Sequence, residues 1–156
     1  MSDHARALNV RGRQAAGVMA REMRRLGVSP DLVLVSSARR TLQTLAALEP
    51  WDTPPRVIPL DALYLAPASD LLDALRELPP TARCVLLVGH NPGLHDLAML
   101  LAGADETDAQ VARLARGYPS GALSEFAVEG SWSEIAAGNV RLTRLLLPSD
   151  VQEVSA

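Results

Sequence analysis

The sequence contains no lysine: all fifteen basic residues among its 156 are arginine. That excludes a Schiff-base lysine, a P-loop lysine and a kinase lysine. Any anion site must therefore be built from guanidinium groups, imidazoles, backbone N–H groups or helix N-termini. Only one cysteine is present, Cys84, so no internal disulfide can form and nothing points to a stapled secreted fold. It opens the apolar run Cys84-Val85-Leu86-Leu87-Val88 and is expected to be a small buried hydrophobe, not a reactive thiol. No apolar run approaches the ~20 residues that span a bilayer, and Met1-Ser2-Asp3-His4-Ala5-Arg6 has no signal-type hydrophobic region. A soluble cytoplasmic protein with no membrane partner is the expectation. A net charge of −3 argues against a nucleic-acid groove built on bulk basicity. No Gly-rich loop follows an early strand, which disfavours a nucleotide-binding α/β domain. No cofactor and no metal is expected.

What is present reads as one α/β domain over residues 1–156, with 48% of the chain hydrophobic. Residues 11–26 place Ala15, Ala16, Met19, Ala20, Met23 and Leu26 at helical spacing, and Gly27 is a stop. Leu32-Val33-Leu34-Val35 is a continuous apolar run of strand length, as expected for a strand buried on both faces of a parallel sheet. A second helix is read over 38–48 and a short strand at Val57-Ile58. Ser69-Asp70 is expected to cap a third helix carrying Leu71, Leu72, Ala74, Leu75 and Leu78. Val85-Leu86-Leu87-Val88 forms the second fully apolar strand, followed by a helix over 94–101. Residues 103–117 are polar and fit either helix or loop. Strands are read over 121–128 and 140–147. The alternation predicts an α/β three-layer sandwich with a mainly parallel central sheet.

Ligands in such sheets gather beyond the carboxyl ends of the strands. Two of these ends carry polar residues. One strand runs into Ser36-Ser37-Ala38-Arg39-Arg40-Thr41-Leu42-Gln43-Thr44, the other into Gly89-His90-Asn91-Pro92-Gly93. Guanidinium groups at a helix N-terminus sit at the unfavourable end of its dipole, which an anion nearby would explain. Arg40 shares a helix face with Gln43 and Thr44 and Arg39 points elsewhere, but spacing leaves the choice of inward arginine open. His90 is equally readable as an anion ligand and as a strand-ending histidine bonded to a carbonyl. His95 reads as surface or packing. His4 lies in an unanchored terminus, where chemistry is not expected. Asp61, near a strand end, is the best general-acid candidate, with a surface carboxylate as the alternative.

At these residues the chain resembles the histidine phosphatase superfamily, and specifically its small SixA-type phosphohistidine phosphatases, with a phosphoglycerate mutase-like fold. Leu8-Asn9-Val10-Arg11-Gly12 with Ala15 resembles the family's "L-x-x-x-G-x-x-A". Ser36 through Thr44 resembles "S-P-x-x-R-A-x-Q-T", with Ser37 for proline and Thr41 for alanine, which selects Arg40 as the phosphate-binding arginine. Leu63-Tyr64, Val88-Gly89-His90-Asn91-Pro92-Gly93 and Tyr118-Pro119-Ser120-Gly121-Ala122 resemble three further segments in the same order. The resemblance implies metal-free phosphoryl transfer. A nucleophilic histidine is phosphorylated and then hydrolysed, while two arginines and a second histidine hold the phosphoryl oxygens. By resemblance Arg40 and His90 are catalytic and, with Asn91, bind the substrate.

The family's nucleophile lies in "R-H-G/A" at the end of a first, central strand, and these residues contain no such motif. The domain is therefore expected to be N-terminally truncated, without its first strand, its nucleophile and one arginine. Losing three or four buried aliphatic side chains at ~1.5–3 kcal/mol each would forfeit roughly 5–10 kcal/mol, and two strand edges would stand unpaired. Two readings follow. One is a phosphohistidine phosphatase acting on a phosphorylated protein or small phosphate ester when the motif is present. The other is a non-catalytic phosphate-binding adaptor that keeps Arg40 and His90 without turnover. The 156 residues by themselves are expected to show negligible turnover on small phosphate esters.

Overall fold

A computed structural model describes residues 1–103, 105 and 107–152, the last by its backbone alone. The order is α1 (Val10–Arg25), β1 (Leu32–Ser36), α2 (Arg39–Ala47), β2 (Arg56–Leu60), α3 (Ala68–Arg76), β3 (Val85–Val88), α4 (Gly93–Ala102), α5 (Ala109–Arg116), β4 (Leu123–Val128), β5 (Val140–Leu146) and α6 (Pro148–Gln152). Short 3₁₀ turns follow β2 and precede β5.

The strands form two sheets. Parallel β2, β1 and β3 lie in that spatial order, with Leu32 opposite both Arg56 and Val85. β4 and β5 form an antiparallel pair with a register irregularity between Glu125 and Phe126.

Every residue of β1 is buried, as its unbroken apolar run predicts for a strand covered on both faces. Alternation along the strand divides the core. Val33 and Val35 meet Met19, Met23 and Leu45 of α1 and α2. Leu32 and Leu34 face the opposite layer, with Leu71 and Leu75 of α3 and Leu97 and Leu101 of α4. Each fully buried aliphatic contributes ~1.5–3 kcal/mol, so the β1 layer fixes where its carboxyl end emerges. A third cluster joins Ala98, Val111, Leu114, Leu142 and Leu145 of α4, α5 and β5.

Helix ends follow local chemistry. Asn9 caps α1, its side-chain oxygen accepting from the Gly12 N–H at 2.8 Å. Within the polar stretch 103–117, in which residues 104 and 106 lie outside the described residues, Ala109–Arg116 form α5, where Asp108 accepts from the Gln110 and Val111 N–H groups and Val111 and Leu114 face the core. α3 begins earlier than its Ser-Asp signal indicated. Pro67 takes the N-cap position, φ −70°, and Ser69 and Asp70 lie in the first turn. Proline's fixed φ suits a helix start, and Asp70 still favours the positive dipole end there.

One expectation fails in this region. Cys84 is exposed, not buried. All four residues of β3 are only half-buried although they are as apolar as β1. The cause is the sheet pattern. Among the described residues β3 pairs with β1 alone and β4 with β5 alone. Asn91 Nδ2 donates to the Tyr118 carbonyl at 2.6 Å, placing the start of β4 beside the end of β3. Trp132 Nε1 donates to the Ala82 carbonyl at 2.8 Å, placing the end of β4 beside the start of β3. β4 thus runs antiparallel to β3, and a cavity of about 1430 Å³ lined by both strands extends to Arg40 and His90. No helix among the described residues is long and apolar enough to cross a membrane.

Candidate functional site

The carboxyl ends of β1 and β3 open onto one rim, and each delivers one functional group to it. β1 ends in Ser36, and the chain turns at Ser37-Ala38 into α2. The Thr41 hydroxyl pins that turn by donating to the Ser36 and Ala38 carbonyls, both at 2.8 Å. Arg40 therefore stands one residue inside α2 with its side chain toward β3, only 16% exposed. Arg39 is exposed, so helix geometry settles which arginine turns inward.

His90 follows β3 and is 9% exposed. Its loop is held against the neighbouring turn by Gly93, where a Cβ would stand 2.0 Å from the Ala66 carbonyl oxygen, so only glycine fits there. Arg40 Nη2 lies 3.2 Å from His90 Nδ1, and His90 Nε2 lies 2.8 Å from Ser36 Oγ. Arginine only donates, so Nδ1 accepts and Nε2 carries the proton given to Ser36. Burial, with the Arg40 charge adding to it, pushes the His90 pKa below its usual range. His90 is thus a neutral imidazole with both nitrogens engaged.

The N-terminal segment completes the rim. The Arg40 guanidinium donates to the Asp3 carbonyl at 2.9 Å and to its carboxylate at 3.2 Å. The Tyr64 hydroxyl donates to the same carboxylate oxygen. That hydrogen bond, with Arg6 and Arg40 adding to it, holds the Asp3 carboxyl down to about 2, and it raises the Tyr64 pKa in return. His4 Nε2 lies 2.9 Å from Ser37 Oγ, which donates to Asp61 at 2.5 Å. Tyr64 meets the rings of His4 and His90 edge-on, with centroids 5.0 and 5.4 Å away. The arrangement is a guanidinium and a phenol converging on one carboxylate, with the His90 imidazole against the guanidinium. It is chemically an anion receptor, in which an intramolecular carboxylate is the anion held.

The sequence-derived site residues fare differently. Arg40 and His90 are brought into contact. Asp61 sits on the same rim but is exposed and joined to Ser37, two residues from the guanidinium-bearing helix. Asn91 has both ends of its amide on backbone, the Tyr118 carbonyl and the His95 N–H, so it braces the rim loop. His95 packs, as its spacing indicated, with Nε2 2.7 Å from the Leu114 carbonyl and its ring stacked on Tyr118 at 5.8 Å. His4 contradicts its reading as unanchored: Ser37 and Tyr64 fix it at the rim. Asp3, Ser36, Ser37 and Tyr64 carry no periodicity or spacing that marks them for chemistry. Only the quoted Leu63-Tyr64 and Ser36–Thr44 segments pointed near them. No cluster of three or more metal-ligating side chains is found among the described residues.

No protein-family profile matches the chain. Among sequence relatives, Uncharacterized protein Rv1276c of Mycobacterium tuberculosis is 32% identical over 149 residues, covering 95% of this chain and 92% of that protein. Uncharacterized protein ML1117 of Mycobacterium leprae is 23% identical over 148 residues, covering 95% and 90%. Solved structures match over the same span. A chain from Nakamurella multipartitia, assigned to phosphohistidine phosphatase SixA, superposes with TM-score 0.83 at 28% identity, covering 95% of this chain and 88% of that one. The corresponding assignment from Agrobacterium tumefaciens gives 0.80 at 26% identity, covering 95% and 87%. A protein histidine phosphatase SixA complexed with tungstate gives 0.75 at 20% identity, covering 96% and 88%, and shows likeness of fold alone.

Proposed function

Because the chain belongs with the SixA-type histidine phosphatase-like proteins, we propose that its Arg40–His90 rim is a phosphoryl site, suited to a phosphorylated histidine on a protein or to a small phosphate ester. The single observation that carries this is the contact between Arg40 Nη2 and His90 Nδ1, with a carboxylate already caught against the guanidinium. A phosphoryl group brings three oxygens where Asp3 brings two. It gains from the same guanidinium, from the Tyr64 hydroxyl and from His90 once that imidazole presents an N–H toward it. Such donors, fixed before the anion arrives, stabilise the charge that accumulates on a transferring phosphoryl group.

Hydrolysis through a phosphohistidine follows where an Arg-His-Gly or Arg-His-Ala nucleophile faces that group. The nucleophile nitrogen bonds to phosphorus as the leaving-group bond breaks, and water then cleaves the P–N bond and releases phosphate. The sequence contains neither tripeptide. Its 156 residues therefore bind phosphoryl groups without appreciable turnover. Asp61 is the carboxyl group on the rim able to protonate a leaving group, although a phosphohistidine leaving group does not require one.

The test is calorimetric titration of the chain with inorganic phosphate and with a phosphohistidine peptide, beside an assay for phosphate release. Saturable binding that is lost in Arg40→Ala, with no release, is the expected result. Binding unchanged in Arg40→Ala overturns the site. Turnover that depends on His90 without any added segment overturns the assignment of these residues to recognition alone.

A further inference from the structure

Leu65 stands at the rim, and neither the fold nor phosphoryl binding accounts for it. Its φ is +50°, which makes it the sole non-glycine in the left-handed region among the described residues. That region strains a bulky side chain, whereas glycine adopts it freely and asparagine tolerates it. The leucine side chain gains nothing from the interior either. It is 54% exposed and belongs to none of the three core clusters. One exposed leucine is ordinary on a protein surface. An exposed leucine in strained backbone is not, because no burial offsets the strain, and such strain gathers at functional sites.

Its neighbours enforce the conformation. Leu63 and Ala66 are both buried, so the chain is anchored in the core on either side. The Ala66 N–H donates back to the Leu63 carbonyl at 3.3 Å, and the Ala66 carbonyl oxygen packs closely against Gly93 in the loop that carries His90. Between these anchors the Tyr64 hydroxyl reaches the Asp3 carboxylate held by Arg40. Leu65 is thereby turned outward one residue from the phenol, and it borders the cavity that Arg40 and His90 also line.

We infer that Leu65 is a specificity-determining residue, whose side chain seats the apolar group that carries the phosphoryl. The rim then favours phosphorus borne on a ring over inorganic phosphate and polar esters. The inference rests on the phosphoryl reading of Arg40 and His90. The guanidinium, imidazole and phenol of the rim are polar groups that address oxygens, and none of them reads the fourth substituent of a tetrahedral phosphorus. With three oxygens turned to those donors, that substituent points away from them, toward the mouth where Leu65 stands. Apolar contact there removes water from both surfaces. A hydroxyl or charge in the same place loses water without gaining a partner.

Methylphosphonate and phenylphosphonate present the same three oxygens and differ only in the apolar group, so their affinity ratio isolates the contact. Both are used as dianions on the full chain. Titration calorimetry should show phenylphosphonate bound about fivefold or more tightly than methylphosphonate. Leu65→Asn suits the same backbone and Leu65→Gly relieves it. In both variants the ratio should fall to within about twofold of one, through weaker phenylphosphonate binding. In the parent, the phenyl ring current should shift the Leu65 methyl resonances, and methylphosphonate should leave them in place. A ratio near one in the parent, or a preference that survives in both variants, overturns the role of Leu65. A ring-current shift at other leucines with Leu65 unmoved overturns it too, by seating the ring elsewhere in the cavity. These failures leave phosphonate binding that Arg40→Ala abolishes. Failure of the phosphoryl reading itself is distinct: phosphonate binding is then absent or indifferent to Arg40→Ala, and both conclusions fall.

Discussion

Arg40 and His90, fifty positions apart in the chain, touch through Nη2 and Nδ1 at 3.2 Å. The contact needs a neutral imidazole whose Nδ1 accepts, because a second N–H there would face the guanidinium donors. An arriving phosphoryl oxygen reverses that demand, since it accepts from both groups. Most predictions about the rim follow from this competition.

Arg40→Ala should weaken phosphate binding by about 10–100-fold. That corresponds to the ~1.5–3 kcal/mol typical of a hydrogen bond to a charged group. Arg40→Lys should fall between, because an ammonium keeps the charge but loses the planar fork. Titration calorimetry on the two variants checks the order.

Asp3→Asn should have the opposite effect. Removing the charge that Arg40 and Tyr64 now hold frees the donors, and phosphate affinity should rise about fivefold. An unchanged or weaker affinity would show that the Asp3 carboxylate does not compete for the anion site.

The pH dependence of stability has a definite sign. The His90 pKa lies below its unfolded value of 6.5, chiefly through burial and secondarily through Arg40. The native state therefore binds fewer protons in that window. Its contribution is fully present above pH 6.5 and is lost as pH falls below 6.5 toward the depressed folded value. Denaturant midpoints measured from pH 8 to 5 should fall more steeply for the parent than for His90→Gln. Phosphate affinity should move the other way and strengthen across that window, because a protonated His90 donates to the anion.

Core substitutions should separate the filled layer from the open one. Leu71, 1% exposed under β1, should cost about 2–5 kcal/mol as Leu71→Ala. Leu87, half-buried beside the cavity, should cost clearly less, about 1 kcal/mol, as Leu87→Ala. Equal losses would show that β3 is as closely packed in solution as β1.

Gly93→Ala should cost about 1–3 kcal/mol, because its Cβ would meet the Ala66 carbonyl oxygen at 2.0 Å. The loop carrying His90 must shift to relieve that contact. A drop in phosphate affinity should therefore accompany the drop in melting temperature.

The sequence by itself determined the layers, because periodicity is a local property. The unbroken apolar run of β1, the spaced small residues of α1 and the stop at Gly27 each carry their own signal, and position past apolar strands marks His90 and the Arg39-Arg40 pair as candidates, with Arg40 chosen only by the family resemblance. The start of α3 was misplaced because proline at the N-cap outweighed the Ser-Asp signal behind it. Only the tertiary structure decided what no local pattern encodes. It joined Arg40 to His90, folded Asp3 and His4 back onto the rim, set Asn91 against the Tyr118 carbonyl and left Cys84 exposed. The physical reason is that a guanidinium, an imidazole and a carboxylate acquire their protonation and partners from groups brought near by the packing of distant segments. An apolar strand likewise reads the same in sequence whether or not a neighbour lies along its second edge.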